Sequence, residues 1–230
     1  MIIGKKNMRA QGVACLVVAA VAIVVAVAVA IAVGRTRNGR PPLARKSLAD
    51  PREAYRQPVC LPDIDPNLWL GNLDAARRGA SGDLPFDAIV CTASTRTCAH
   101  AFDATGALRP GSSAFEMDFP DSPYIDEEAF YAFVSRAAAW IHRDLSRGRR
   151  TLVHCYAGMN RSAASVVAYC LLYKKGWTYD RAVAYVSARN RDERHIRTLT
   201  NPTFRDLLRR LTRAAWVLTR RSRQRRRERQ

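Results

Sequence analysis

The segment richest in chemistry is Val153-His154-Cys155-Tyr156-Ala157-Gly158-Met159-Asn160-Arg161-Ser162. The apolar run Thr151-Leu152-Val153 leads into it, and an apolar helical pattern from Ser162 leads out. A strand, loop and helix in that order gather backbone N–H groups around an anion at the helix N-terminus. Gly158 lets the chain turn tightly about a ligand. Arg161, six residues after Cys155, brings a planar fork that suits two phosphate oxygens. Cys155 stands at the mouth of this positive cup, where its sulfur is favoured as thiolate and can act as a nucleophile. His154 and the Ser162 hydroxyl are placed to tune that sulfur. Tyr156, Ala157, Gly158, Met159, Asn160 and Arg161 form the phosphate-binding wall.

A thiolate at the base of a phosphate cup implies one reaction. Sulfur attacks phosphorus, a cysteinyl-phosphate forms, and water releases it. The departing alkoxide needs a proton from an acid on another loop. Asp121, in Asp118-Phe119-Pro120-Asp121-Ser122-Pro123, is the first candidate and Asp118 the second. Capping of the following helix is the plainer role for Asp121. Cys91, Cys98 and His100 find no fourth partner at metal-ligand spacing, so they are expected to be structural and no metal is expected. Cys91 or Cys170 could bridge to Cys155 on oxidation. His142 and His195 are expected in solvent, and Trp177 and Tyr179 in packing.

These residues need an α/β domain to hold them. Leu68-Trp69-Leu70 and Phe86 to Cys91 are short apolar runs bounded by Gly, Asp and Pro, hence strands, and Phe115 to Phe119 is a third candidate. Asp126 to Ser146 puts Phe130, Phe133, Val134, Ala137, Ile141 and Leu145 on one helical stripe. Its first turn is acidic, as the helix dipole favours, and Gly148 follows its end. Further helices are expected over Ser162 to Lys175 and Tyr179 to Ala188, and one opening at Pro202.

The motif HCxxGxxRS resembles that of the cysteine-dependent phosphatases, and within them the dual-specificity phosphatase family. The likeness extends over most of residues 62–211. Ile64 to Asn72 resembles the family's opening strand, Phe86 to Val90 its next core strand, and Arg194-His195-Ile196 with Asn201 to Leu208 its C-terminal helix signature. Asp121-Ser122 falls where the family keeps its general acid. The resemblance implies a central mixed sheet flanked by helices and metal-free, cofactor-free hydrolysis of phosphomonoesters on Ser, Thr and Tyr of proteins. Cys91 stands where the family often has Asn. No kinase-docking domain is apparent, which matches the small, atypical members. Phospholipid headgroups and RNA 5′-phosphates are the alternative substrates, and a non-catalytic phosphate-binding module is the alternative function.

Outside this domain, 59–216, the chain changes character. Of its formal charge of +18, residues 1–49 hold eight Lys or Arg and no acid, and residues 205–230 hold eleven Arg against Asp206 and Glu228. The middle is therefore nearly neutral. Six cysteines among 230 residues exclude a disulfide scaffold, and 48% hydrophobic residues exclude a wholly disordered chain. Residues 1–12 form a basic flank. Val13 to Val33 carries no charge, Pro or Gly over 21 residues, long enough at 1.5 Å per residue to span about 31 Å of bilayer. A single-pass anchor is expected there, with a cleaved signal peptide as its rival. Residues 34–58 are expected as a linker, and the basic flanks put the catalytic domain on the cytoplasmic side. The Arg-rich residues 217–230 could meet anionic lipid or nucleic acid.

Overall fold

The computed structural model describes residues 50–93 and 119–211. Four short strands form one sheet: β1 (Val59–Cys60), β2 (Leu68–Gly71), β3 (Ala88–Cys91) and β4 (Thr151–His154). Their order is β1-β2-β4-β3, with β4 parallel to both neighbours and β1 antiparallel to β2. Every residue of β3 and β4 is buried. Parallel strands require cover on both faces, and the alternation of side chains supplies two apolar surfaces. Ile89 and Leu152 face one way, against Ala75 and Ala76. Val90, Val153, Leu68 and Leu70 join the larger core on the other face with Phe130, Phe133, Val166 and Phe204. Each such side chain contributes about 1.5–3 kcal/mol on burial.

The helices are α1 (Pro51–Arg56), α2 (Leu73–Ala80), α3 (Glu127–Ser146), α4 (Arg161–Tyr173) and α5 (Tyr179–Arg194). A sixth, α6, covers residues 202–211. Their starts follow from capping: Asp126 accepts from the Ala129 N–H at 2.7 Å, Thr178 from Arg181 at 3.3 Å and Asn72 from Ala75 at 3.0 Å. Pro202 occupies the first turn of α6, where its missing N–H costs nothing. The long helix α3 is followed, after its C-cap Arg147, by Gly148, whose φ of +69° suits glycine.

Several elements differ from the sequence expectations. Residues 51–56, expected within a linker, are helical, because Asp50 caps them and Pro51 begins the first turn. The helix expected to stop at Ala188 runs on to Arg194, because its buried stripe of Ala182 and Val186 continues through the polar Asn190 and Arg194. The Ala- and Arg-rich α2 is only eight residues long and buries only Ala75 and Ala76, too little apolar surface to announce itself. Phe119 is buried outside any strand, and the rest of the expected strand at 115–119 lies outside the described residues. Residues 13–33 and 217–230 also lie outside them. Among the described residues, no helix is long and apolar enough to cross a membrane.

Candidate active site

The parallel strands end level with one another, Gly71 beside His154 and His154 beside Cys91. In an open parallel sheet the carboxyl ends of the strands are where ligands bind. Here each end supplies part of the site. After β2, Asn72 caps α2 and donates to the Tyr55 carbonyl at 3.0 Å. After β3, Thr92 is fully buried, and both its backbone N–H and its hydroxyl donate to the His154 carbonyl at 2.8 Å. After β4 comes the loop from Cys155 to Asn160, which runs straight into α4.

The loop is held from outside by its carbonyls, one after another. The Cys155 carbonyl meets Nδ1 of the buried His154 at 3.2 Å. The Tyr156 carbonyl accepts from the Leu73 N–H at 3.1 Å and the Ala157 carbonyl from Arg194 Nη2 at 3.2 Å. The Gly158 carbonyl accepts from Asn190 Nδ2 at 3.1 Å and Arg194 Nη1 at 3.4 Å. The Met159 carbonyl accepts from the Leu199 N–H at 3.0 Å. In a trans peptide the N–H points opposite to the C=O of the same plane. Carbonyls pulled outward therefore turn the N–H groups inward, and the observed case agrees: the Gly158 N–H donates to Cys155 Sγ at 3.2 Å.

Cys155 is buried at 2% exposure, and its sulfur also accepts from the Ser162 hydroxyl at 3.3 Å. Two donors and the N-terminus of α4 thus converge where negative charge on sulfur must rest. Gly158 has no substitute. Its φ is +74°, and a Cβ there would sit 2.5 Å from Arg194 Nη1 and 2.6 Å from the Gly71 carbonyl. Arg161 donates through Nη1 to the Phe119 carbonyl at 3.2 Å. Its Nε is buried with no hydrogen-bond partner among the described residues, a donor that a bound anion would satisfy.

Asp121 reaches the loop from the segment before α3. Phe119 stacks on Phe133 at 4.4 Å between ring centroids and so anchors that segment in the core. The Asp121 carboxylate accepts from Asn160 Nδ2 at 3.0 and 3.2 Å and from Asn201 Nδ2 at 3.1 Å. Asp121 remains exposed, as a proton donor to a substrate must be. It caps no helix; Asp126 does that. Asp118, the other acid considered, lies outside the described residues, as do Cys98 and His100.

Of the residues singled out in the sequence, the structure brings together Cys155, Gly158, Arg161, Ser162 and Asp121. His154 acts on the backbone, through the Cys155 carbonyl. Tyr156 lends its backbone to the loop while its side chain is 64% exposed. Cys91 packs against Cys155 but is itself disulfide-bonded, whereas Cys155, Cys170 and Cys60 are free thiols. Burial pushes the Cys170 thiol up to about 12. His142 and His195 are exposed, and Trp177 and Tyr179 pack on the core, as expected.

Arg194, named in the sequence only as part of the C-terminal signature, turns out to hold the loop itself. It is buried at 1% exposure, and its guanidinium donates to the carbonyls of Tyr55, Ala157 and Gly158 and to Asn190 Oδ1. Burial lowers its pKa to about 10, while the electrostatic influence of Tyr55 and Cys155 works the other way. Its signal was an arginine in register with an apolar stripe. A buried cation of that kind is kept only where it is fully bonded.

The comparisons agree with this geometry. Residues 68–213 match the family model described as dual specificity phosphatase, catalytic domain. The chain belongs to the dual specificity phosphatase family. It is 33% identical over 115 residues to human dual specificity protein phosphatase 26, covering 48% of this chain and 51% of that protein. It is 38% identical over 81 residues to human protein phosphatase Slingshot homolog 2, covering 34% of this chain and 5% of that one. The chain thus spans about half the length, or less, of these curated relatives. The human tyrosine phosphatase-like serine/threonine/tyrosine-interacting protein superposes with a TM-score of 0.52 at 26% identity, covering 70% of this chain and 99% of that one. This domain carries Cys155, Arg161 and Asp121 on and beside one loop.

Proposed function

We propose that the chain is a membrane-tethered dual specificity phosphatase that hydrolyses phosphomonoesters on Ser, Thr and Tyr of proteins. The observation that carries the proposal is Cys155 itself. Its buried sulfur sits under two hydrogen-bond donors, in a loop whose carbonyls are all drawn outward, with Arg161 and Asp121 beside it. In the first step Sγ attacks phosphorus, the oxygen–phosphorus bond of the ester breaks, and Asp121 gives its proton to the departing oxygen. In the second, Asp121 takes a proton from water as that water attacks the cysteinyl-phosphate. Cys155 leaves as thiolate, received by the Gly158 N–H and the Ser162 hydroxyl. Arg161 holds the phosphoryl oxygens throughout.

Access for alkyl as well as aryl phosphates rests on membership of the family. The tether is residues 13–33, and the domain is taken to face the cytoplasm on the strength of the basic flanks. The Arg-rich residues 217–230 add cations that favour an anionic membrane surface. The test uses the full chain in mild detergent with phosphotyrosyl and phosphoseryl peptides. The wild-type chain should release phosphate from both, and Cys155→Ser should release none while still binding phosphate. Equal turnover by Cys155→Ser, or release confined to a phospholipid or an RNA 5′-phosphate, would overturn the proposal. Resistance of the chain to alkaline carbonate extraction from membranes is expected, and its release would remove the tether.

A further inference from the structure

Asn160 stands at the N-cap of α4, the position where asparagine normally accepts a hydrogen bond from the first turn of its helix. It makes no such bond. Both ends of its amide are committed elsewhere. Nδ2 donates to both carboxylate oxygens of Asp121, at 3.0 and 3.2 Å. Oδ1 accepts from the Thr200 hydroxyl and from the Asn201 N–H, each at 3.2 Å. Asn201 completes the ring. Its Nδ2 donates to Asp121 at 3.1 Å and to the Ser122 carbonyl at 2.9 Å, while its Oδ1 caps α6 through Thr203 and Phe204. Both asparagines are buried, at 9% and 8% exposure, although the carboxylate they hold is exposed.

We infer that Asn160 and Asn201 are positioning residues that fix the acid Asp121 to the phosphate loop, so that the loop that binds phosphate also sets the place of the proton donor. The inference deepens the phosphatase reading and rests on it. Two consequences of the geometry support it. Leaving the cap unmade frees the first-turn N–H groups of α4 to face the anion. The segment 195–201 is also held against the loop at a cost, since Leu199 is buried with φ of +51° while its N–H serves the Met159 carbonyl. Side-chain amides thereby link three stretches distant in sequence, around residues 121, 160 and 200.

A group that acts through the acid has a signature that a group shaping the cup does not. Loss of acid positioning should hurt substrates with poor leaving groups and spare those with good ones. The experiment compares kcat for an alkyl phosphate and for a nitrophenyl phosphate, using the full chain with Asn160→Ser, Asn201→Ser and each of these combined with Asp121→Ala. Serine at 201 keeps a capping oxygen for α6, so loss of the fold does not cloud the result. Each asparagine variant should lower the alkyl rate about 10-fold more than the aryl rate, a fraction of the full general-acid effect. In the Asp121→Ala background neither should lower the alkyl-to-aryl ratio further. Equal losses on both substrates, or losses that multiply with Asp121→Ala, would overturn the inference and leave Asn160 as part of the cup. If the wild-type chain shows no Cys155-dependent turnover, the phosphatase reading fails and takes the inference with it. Turnover that depends on Cys155 and Asp121 with an unchanged ratio in both asparagine variants sinks the inference alone.

Discussion

The nucleophile loop and the acid segment meet across a few ångströms yet are secured in opposite ways. The loop from Cys155 to Asn160 is fastened through its main chain, with every carbonyl from Cys155 to Met159 taken by a neighbour. Several of those neighbours, His154, Asn190 and Arg194, are themselves buried. The acid segment is fastened at its root, where Phe119 stacks in the core, and at its tip by side-chain amides and by Thr203 donating to the Pro123 carbonyl at 2.7 Å. Between these points it lies open: Tyr124 is 91% exposed. The contrast follows from what each must do. Charge on sulfur and phosphoryl oxygens is stabilised only by donors that do not have to reorganise. A proton donor must meet both the leaving group and water, so it is held by a few directional bonds at the surface.

That difference can be broken at chosen points. The largest effect is expected from Gly158→Ala, where a Cβ meets both Arg194 and the Gly71 carbonyl. Turnover of aryl and alkyl phosphates alike should fall below detection, with vanadate binding lost and the circular dichroism spectrum kept. Asp121→Ala should spare the cup: alkyl phosphate turnover should drop by about 10²–10⁴ while aryl phosphate turnover falls far less. Equal losses would take Asp121 out of the acid role. Arg194→Met keeps the bulk but takes away the donor that the Ala157 carbonyl and Asn190 Oδ1 use, while the Tyr55 and Gly158 carbonyls keep Asn72 and Asn190. Unfolding by urea should show a loss of about 3 kcal/mol, roughly a hundredfold in the folding constant. Ser162→Ala removes one of two donors to the sulfur and should slow release of the cysteinyl-phosphate about 10-fold, seen as a larger pre-steady-state burst relative to turnover.

The same contrast separates what the sequence made legible from what it did not. Cys155, Gly158, Arg161 and Ser162 lie within eight consecutive residues, and their spacing alone implies a cup. The strands β2, β3 and β4 and the helix α3 announce themselves because their apolar periodicity matches their burial. Asp121 was within reach because a leaving group demands an acid and few carboxylates precede α3. The supporting residues had no such local logic. Thr92, Asn190, Arg194 and Asn201 converge on the loop only because parallel strands end together and α5 packs on α4, α1 and β1. Arg194 was hidden further because the apolar stripe of α5 ends in polar residues, so the helix seemed to stop at Ala188 when its buried face continued. His154 was legible as a neighbour of the nucleophile, but its action through the Cys155 carbonyl depends on its burial.

The most direct measurement is to catch the covalent intermediate. The full chain is mixed with an aryl phosphate, quenched in acid within milliseconds, digested and weighed by mass spectrometry. A phosphoryl group should appear on the peptide carrying Cys155, accumulate further in Ser162→Ala, and be absent from Cys155→Ser. Steady phosphate release with no phosphoryl group on Cys155, undiminished in Cys155→Ser, would contradict the account.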